Sequence, residues 1–551
     1  MDNKTVTLSG HDLTIEQVMD VARYGAKVQY GPGVLQQAAD ALALRMEAGT
    51  EGISVYGLNR GAGALREVAH PVGHSVLSPF TAVPSWLNGG DLPEVSEEDL
   101  VRAMMVISAN AVIYSATTPE RAQMLVDLLN KRVTPVFYAR GTLGEGDGPV
   151  SGAIGTTMAG RGDAYYNGVR MTAAEALKRA GIKTLPPGAE GGAPGAEDDY
   201  GDALATLLVY DGKQALEWTD LICAMGKIGM NSSLTPMTTP VQANRPFKWV
   251  NWDAARIMDM LRGSYLFEND PKRILQDPES MRASYIRQGS AWQAWAALRD
   301  NVQLQINSSD HNPMVLVGVS PTDSWELSTP EMMKYYVKGG PLSHGMHGYI
   351  FSTANWDPYP MTNEVEAFAN ALANADAAVA ERIERFTDRG PTAFFTGIKP
   401  ADVLTPEQIQ ASPALSEPYF VFMDLWAEIQ NLSRSVTAEG NAADLGVADI
   451  EAYGRIKGTD ARRVVDLTME LLGYDLLTST YWMDVRKAQD AERSFGQAPT
   501  AAWMAFRKVV PWQQDLNSRP EIPFGVVAYE FLRSTPASTF YPVGPAMPST
   551  Q

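Results

Sequence analysis

The sequence predicts an almost wholly helical protein built around a bundle of long helices. Long segments repeat apolar residues at spacings of three and four, and alternating β-branched runs are few and short. One of the longest segments, from Thr362, is also rich in alanine on broad faces. Such a helix suits the centre of a bundle rather than a surface.

Along the chain, "SEEDLVRAMMVISANAVIYSATTPERAQMLVDLLNKR" opens on a capping-box pattern at Ser96 and Asp99. It continues as a helix through Leu100, Met104, Ile107 and Val112. Bundle helices are therefore expected near Ala103–Asn130 and Thr362–Thr387. "TDARRVVDLTMELLGYDLL", from Thr459, reads as a helix with Asp460 near its cap and Gly473 near a stop. Between helices, "YARGTLGEGDGPV" (Tyr138–Val150) crowds five Gly or Pro residues around Glu145 and Asp147 and reads as a flexible acidic loop. "LPPGAEGGAPGAEDDYG" (Leu185–Gly201) reads as an exposed linker, and "GIKPADVLTPEQIQASPALSEP" (Gly397–Pro418) as a second breaker. These divide the chain into an N-terminal helical domain with active-site loops, 1–200, and a bundle with a C-terminal helical region, 201–551.

The chain has 551 residues, 45% of them hydrophobic and 20% charged, enough for a substantial core. Its formal net charge of −19 argues against a nucleic-acid partner, because phosphate backbones attract basic faces. The one cysteine, Cys223, excludes an intramolecular disulfide. "MDNKTVTLSGHDL" has no basic region followed by an apolar run, and no stretch approaches the roughly 18 apolar residues of a membrane helix. The expectation is a soluble cytoplasmic protein acting on a small molecule.

Three segments could carry chemistry. "YGLNRGAG" places Tyr56 and Arg60 in a glycine-punctuated loop. A tyrosine held there can act as a general acid or base if nearby charge lowers its pKa, and the plainer reading is a packed turn. "LQDPESMRASYIRQG" places Arg282 after a Pro turn, where it can grip a carboxylate or make a surface salt bridge. His344 and His347 in "SHGMHG" read as a hydrogen-bonded loop pair, since no further metal ligand lies nearby in sequence. No metal is expected.

In order and content these segments resemble one family, the aromatic amino acid ammonia-lyases typified by histidine and phenylalanine ammonia-lyase. "SVYGLNRGAG" is similar to the family's YGxNTGFG loop. "LQDPESMRASYIRQGSAWQAWAALRDNVQLQINSSDHNP" resembles QDPYSLRCxPQ followed by NSxTDNP. The resemblance implies a fumarase/aspartase-like (ammonia-lyase) all-α fold with a long central antiparallel bundle, and a homotetramer whose sites are shared between subunits. It implies that Tyr56 removes the substrate's β-proton, that Arg282 holds the substrate carboxylate and that Asn307 lies near the site. Glu439, in "TAEGNAADL", resembles the acid of SAEQHNQDV, and Asp220 resembles the asparagine of the NGT motif.

The chain also departs from the family. The family's electrophile, methylideneimidazolone, forms from Ala-Ser-Gly within GSVGASGDLAP, whereas this chain reads "GTLGEGDGP". Glu145 or Gly146 stands where the serine would be, and neither has a β-hydroxyl to lose as water. No cofactor is therefore expected, and Glu145 becomes a candidate acid/base group. Val150-Ser151-Gly152 contains a serine before glycine but falls outside the matched loop. Glu279 replaces the tyrosine of QDPYSLR, and Asp357 in "NWDPYP" stands where the family's NFHG has histidine.

Three readings follow. The first is acid/base 1,2-elimination of a good leaving group, such as a quaternary ammonium, from a small carboxylate-bearing aromatic or conjugated substrate. Ergothionase-type relatives, which expel trimethylamine from a histidine betaine, resemble this case. The second is an isomerase, cyclase or hydratase that loses no amine. The third is a non-catalytic binding relative.

Overall fold

The computed structural model describes residues 4–61, 66–69, 90–144, 148–185, 198–387, 391–413, 419–436, 440–442, 446, 448–515 and 522–550. It separates into two compact units. The first comprises Met1–Tyr210, Arg299–Asn363 and Val436–Thr459; the second comprises Asp211–Leu298, Glu364–Ser435 and Asp460–Gln551. Distant segments of the chain thus join the N-terminal part in one unit.

The first unit begins with β1 (Thr5–Leu8), α1 (Ile15–Ala22), β2 (Lys27–Tyr30) and α2 (Val34–Thr50). Thr14 and Gln17 cap α1 reciprocally, satisfying two helix-end amides. There follow β3 (Asp91–Glu94), α3 (Glu98–Asn110), α4 (Pro119–Asn130), β4 (Val133–Pro135), β5 (Tyr138–Arg140), α5 (Gly148–Met158), β6 (Asp163–Tyr166), β7 (Val169–Thr172), α6 (Ala173–Ala180) and α7 (Asp199–Met230).

The long helix expected over 103–130 is two helices. Thr118 caps α4 and Pro119 takes its first turn, where a missing N–H costs nothing. The capping box at Ser96 and Asp99 does not form. Glu97 is the N-cap, and Asp99 instead accepts from Arg23 at 2.8 Å. Both helices belong to the first unit, and every residue of α3 from Leu100 to Asn110 is buried. The end of the expected loop at 138–150 is also helical, since α5 starts at Gly148.

Onward the chain forms α8 (Lys248–Met260), α9 (Ser284–Gln305), β8 (Met314–Val317), β9 (Tyr336–Val337), β10 (Gly348–Phe351), α10 (Tyr359–Thr387), α11 (Tyr419–Leu432), β11 (Gly440–Ala442), β12 (Ala448–Ile450), α12 (Gly454–Gln489), α13 (Gln497–Val509) and α14 (Phe524–Ser534). The strands form small sheets of two or three: β1 with β2, β3 with β5, β11 with β12, β4-β6-β7 and β8-β10-β9. All of them fall in the first unit. No helix among the described residues is long and apolar enough to cross a membrane.

The regular elements of the second unit's described residues are all helices. Within it, Arg382 on α10 donates to Asp475 on α12 and, at 3.2 Å, to Ser284 at the start of α9. Both members of the ion pair are fully buried. Trp218 on α7 donates to the carbonyls of Leu532 and Thr535. Gly473 does not stop its helix, because α12 runs through it. A Cβ there would lie 3.3 Å from Gly525 O and Tyr529 N on α14, so glycine permits that close crossing.

Asp376 on α10 is fully buried, and its Oδ2 accepts from Thr468 on α12 at 2.6 Å. Burial pushes its carboxyl up to about 7. The folded state therefore holds this proton more tightly than the unfolded chain. The stability the group supports is complete below about pH 4 and is lost as pH rises towards 7. Asp376→Asn, which cannot ionise, is expected to come closest to the parent at pH 4 and to exceed it at pH 8. The gain, by up to about 4 kcal/mol, would be read from denaturant midpoints at the two pH values.

Candidate active site

The loop that follows α2 is braced through its own side chains. Asn59 donates to Ile53 O and accepts from Val55 N, both at 2.7 Å, while Ile53 and Val55 pack into a small core with Leu44, Ala48, Val337 and Ile350. Arg60 donates to Ser54 Oγ at 2.9 Å and to Glu67 O at 3.2 Å, which makes it a brace of the loop. Tyr56 is half-buried at the turn, and its carbonyl accepts from Arg45 of α2 at 3.3 Å. The helical pattern of α2 gave no sign of Arg45.

The segment resembling the cofactor loop leaves β5 and packs on the start of α12. Leu143 O accepts from Tyr453 N at 2.7 Å. Gly144 has φ +100°, and a Cβ on it would fall 2.8 Å from Tyr453 N, a combination that excludes other residues. Glu145 follows directly and lies outside the described residues, as does Glu439.

Near that turn the first unit gathers buried carboxylates. The sequence placed Asp198 and Asp199 in an exposed linker, yet they are 0% and 1% exposed. Asp202, one turn on, is 1% exposed and lies near Asp198, Asp199 and Asp310. Burial above all, then Asp198 and Asp310, pushes its carboxyl well above the usual carboxylate range. A Cβ on Gly454 would meet Asp198 Oδ2 at 2.7 Å, so this cluster adjoins the Tyr453–Gly454 turn that holds Leu143 and Gly144. Beside it, buried His311 shares a 2.6 Å hydrogen bond with Ser115 and places Nδ1 3.4 Å from Asp310. Among the described residues no group of three or more His, Cys, Asp or Glu is arranged to hold a metal ion. His347 pairs with Ser320 at 3.0 Å.

Two expected ligand residues have other partners. Asn307 accepts from Leu13 N at 2.9 Å and from Asn110 at 3.2 Å, and donates to Leu13 O and Gln303 O. Both ends of its amide are engaged, and it ties the N-terminal segment to α9. Asp357 half-emerges before α10 and accepts from Tyr359 N at 3.0 Å, as a helix cap does.

In the second unit, Asp220 is completely buried and accepts from Arg256, Gln288 and Trp292, each at 2.9 Å. Through these bonds Asp220 ties together α7, α8 and α9. Arg282 sits on the single helical turn Glu279–Arg282, which Lys227 secures by donating to Met281 O. Among the described residues Arg282 pairs with Glu279 at 3.7 Å, whose side chain is 87% exposed, so the pair is loose and the fork can engage another carboxylate.

Comparison with known proteins follows this geometry. The profile of the family described as aromatic amino acid lyase matches residues 13–508. Histidine ammonia-lyase 2 of Fusobacterium nucleatum is 27% identical over 518 residues, 93% of each chain. The crystal structure of ergothionase from Treponema denticola superposes with a TM-score of 0.80 at 21% identity, covering 96% of this chain and 99% of that one. Tyrosine aminomutase from Streptomyces globisporus gives 0.78 at 19% identity over 98% of both chains. The two solved structures share the fold.

If Asn307 is a tie, Asn307→Ala should remove several internal hydrogen bonds and lower stability by about 2 kcal/mol. A thermal or urea midpoint equal to that of the parent would show that its bonds to Leu13 contribute nothing.

Proposed function

The chain belongs to the aromatic amino acid lyase family, and from that premise we propose a lyase that works without methylideneimidazolone. It performs acid/base 1,2-elimination of a good leaving group, such as a quaternary ammonium, from a small carboxylate-bearing aromatic or conjugated substrate. The observation that carries this reading is "GTLGEGDGP", where Glu145 or Gly146 replaces the serine whose hydroxyl the ring chemistry must expel. An unactivated amine leaves poorly, whereas a trialkylamine departs with its bonding pair as a neutral molecule. Support also comes from the fold shared with ergothionase, which is described as degrading ergothioneine.

In this reading Tyr56 takes the proton from the carbon next to the one that bears nitrogen. The C–H electrons become the new double bond as the C–N pair leaves with the amine. Arg282 grips the carboxylate through its planar fork. Glu145 is assigned to offset the charge of the cationic nitrogen, and Glu439 to a further acid/base role. Glu279 and Asp357 are assigned as further acids that bind the substrate. The enzyme works as a homotetramer, with Tyr56, Arg282 and Glu439 meeting from different subunits.

Incubation with aromatic amino-acid betaines tests the reaction. The expected result is a new conjugated absorbance with release of free trialkylamine, while a product that keeps its nitrogen would mark a cyclase or isomerase. Tyr56→Phe and Glu145→Gln should each lower turnover by about 10²-fold or more, with thermal midpoints unchanged. Intact mass should equal that of the unmodified chain, and a deficit of two waters within 141–149 would overturn the ring-free reading.

A further inference from the structure

We infer that Lys227 is the positioning residue of Arg282, a buried ammonium that fixes the turn from which the guanidinium meets the substrate carboxylate. The inference rests on the reading of Arg282 as the carboxylate grip.

Lys227 lies in the last turn of α7 and is 1% exposed. Its Nζ donates to Met281 O, the carbonyl of the peptide that joins Met281 to Arg282. Gly226, just before it, lets the turn come close, because a Cβ there would lie 3.1 Å from Met281 Cε. The Met281 side chain is fully buried and packs with Met230, Phe386, Tyr481 and Trp482. Ahead of the turn, buried Asp277 accepts from Ser233 N at 2.9 Å, which ties the approach to the segment that follows α7. Behind it, Ser284 Oγ donates to Ser280 O and itself accepts from Arg382 at 3.2 Å. The Arg282 side chain stays 30% exposed, so a fixed backbone carries a guanidinium that reaches solvent.

A buried ammonium is a costly way to fill space, and an aliphatic chain of the same length would do so more cheaply. The charge of Lys227 acts on Asp277, opposing the rise that burial imposes on that carboxyl. Toward the turn it supplies a charged donor to Met281 O, and such bonds are stronger than neutral ones. Bidentate recognition of a carboxylate depends on the direction of the arginine fork, so a small shift of its backbone weakens the grip.

Hydrogen exchange of the full-length protein, read by mass spectrometry, compares the parent with Lys227→Met, which keeps the length and loses the charge and the donor. Exchange at 279–284 should quicken about tenfold or more, with 464–485 of α12 unchanged. Equal exchange at 279–284 in the parent and the folded variant overturns the inference. So does an equal rise in both segments, which makes Lys227 a general core residue. If Lys227→Met does not fold, the parent decides: slower exchange at 279–284 than at 270–275 supports the clamp, and exchange as fast overturns it. With the aromatic amino-acid betaines, Lys227→Met should raise KM about tenfold and change kcat by less than about threefold. A KM unchanged in Lys227→Met but raised in Arg282→Gln overturns the inference. A KM unchanged in Arg282→Gln, or no turnover of any betaine by the parent, sinks the reading of the site instead and leaves the exchange result to decide the clamp.

Discussion

A charge taken out of water must find an opposite charge, find hydrogen bonds or give up its ionisation, and much of this architecture answers that demand. In the second unit, Arg382 and Asp475 are both fully buried and pair across α10 and α12, with Ser284 of α9 on the remaining fork. Such a pair gains little net stability over apolar packing, but breaking it leaves one charge stranded at a cost of about 3–5 kcal/mol. It therefore fixes which helices meet and in what register. Asp220 serves α7, α8 and α9 in the same way through Arg256, Gln288 and Trp292. Where desolvation outweighs the pull of a nearby arginine the acid keeps its proton instead. Burial raises Asp376, and burial together with Asp220 raises Asp253.

The first unit meets the same demand at its loops. Glu47 has backbone amides as its donors, which pins the 340–343 turn to α2. Asn59 and Arg60 close the tyrosine loop on itself. The short sheets then hold the strand ends from which these loops leave, and β5 delivers Leu143 to the turn at Tyr453. Asp202 and Arg45 are among several buried ionisable groups with an unbonded polar atom, one Oδ and one Nε. Incomplete pairing is expensive in a core and useful where a proton has to move.

On the proposed reading the glycine loop does not supply the family's electrophile, and catalysis rests on proton removal, charge placement and a nitrogen that leaves unaided. Each of these gains from the low dielectric of a buried site, where one fixed charge shifts a neighbour's ionisation more than it could in water.

Helical class, family and the tyrosine loop were legible in the sequence, because 3.6-residue periodicity and short motifs are encoded within a few neighbouring residues. So was the missing hydroxyl, a covalent fact that no packing can alter. Tertiary structure decided what each polar residue is for. Asp198 read as solvated until Gly454, more than two hundred positions away, closed over it. The partners of Asn307 and Asp220, Leu13 and Arg256 among them, come from segments that the short motifs do not include. Gly473 read as a stop until α14 crossed it. The breaks in the helix expected over 103–130 were written locally, at Thr118 and Pro119, but whether the pieces were surface or core was not. Desolvation is set by whichever segments arrive from elsewhere in the chain, so burial and the ionisation it shifts exist only in the folded molecule.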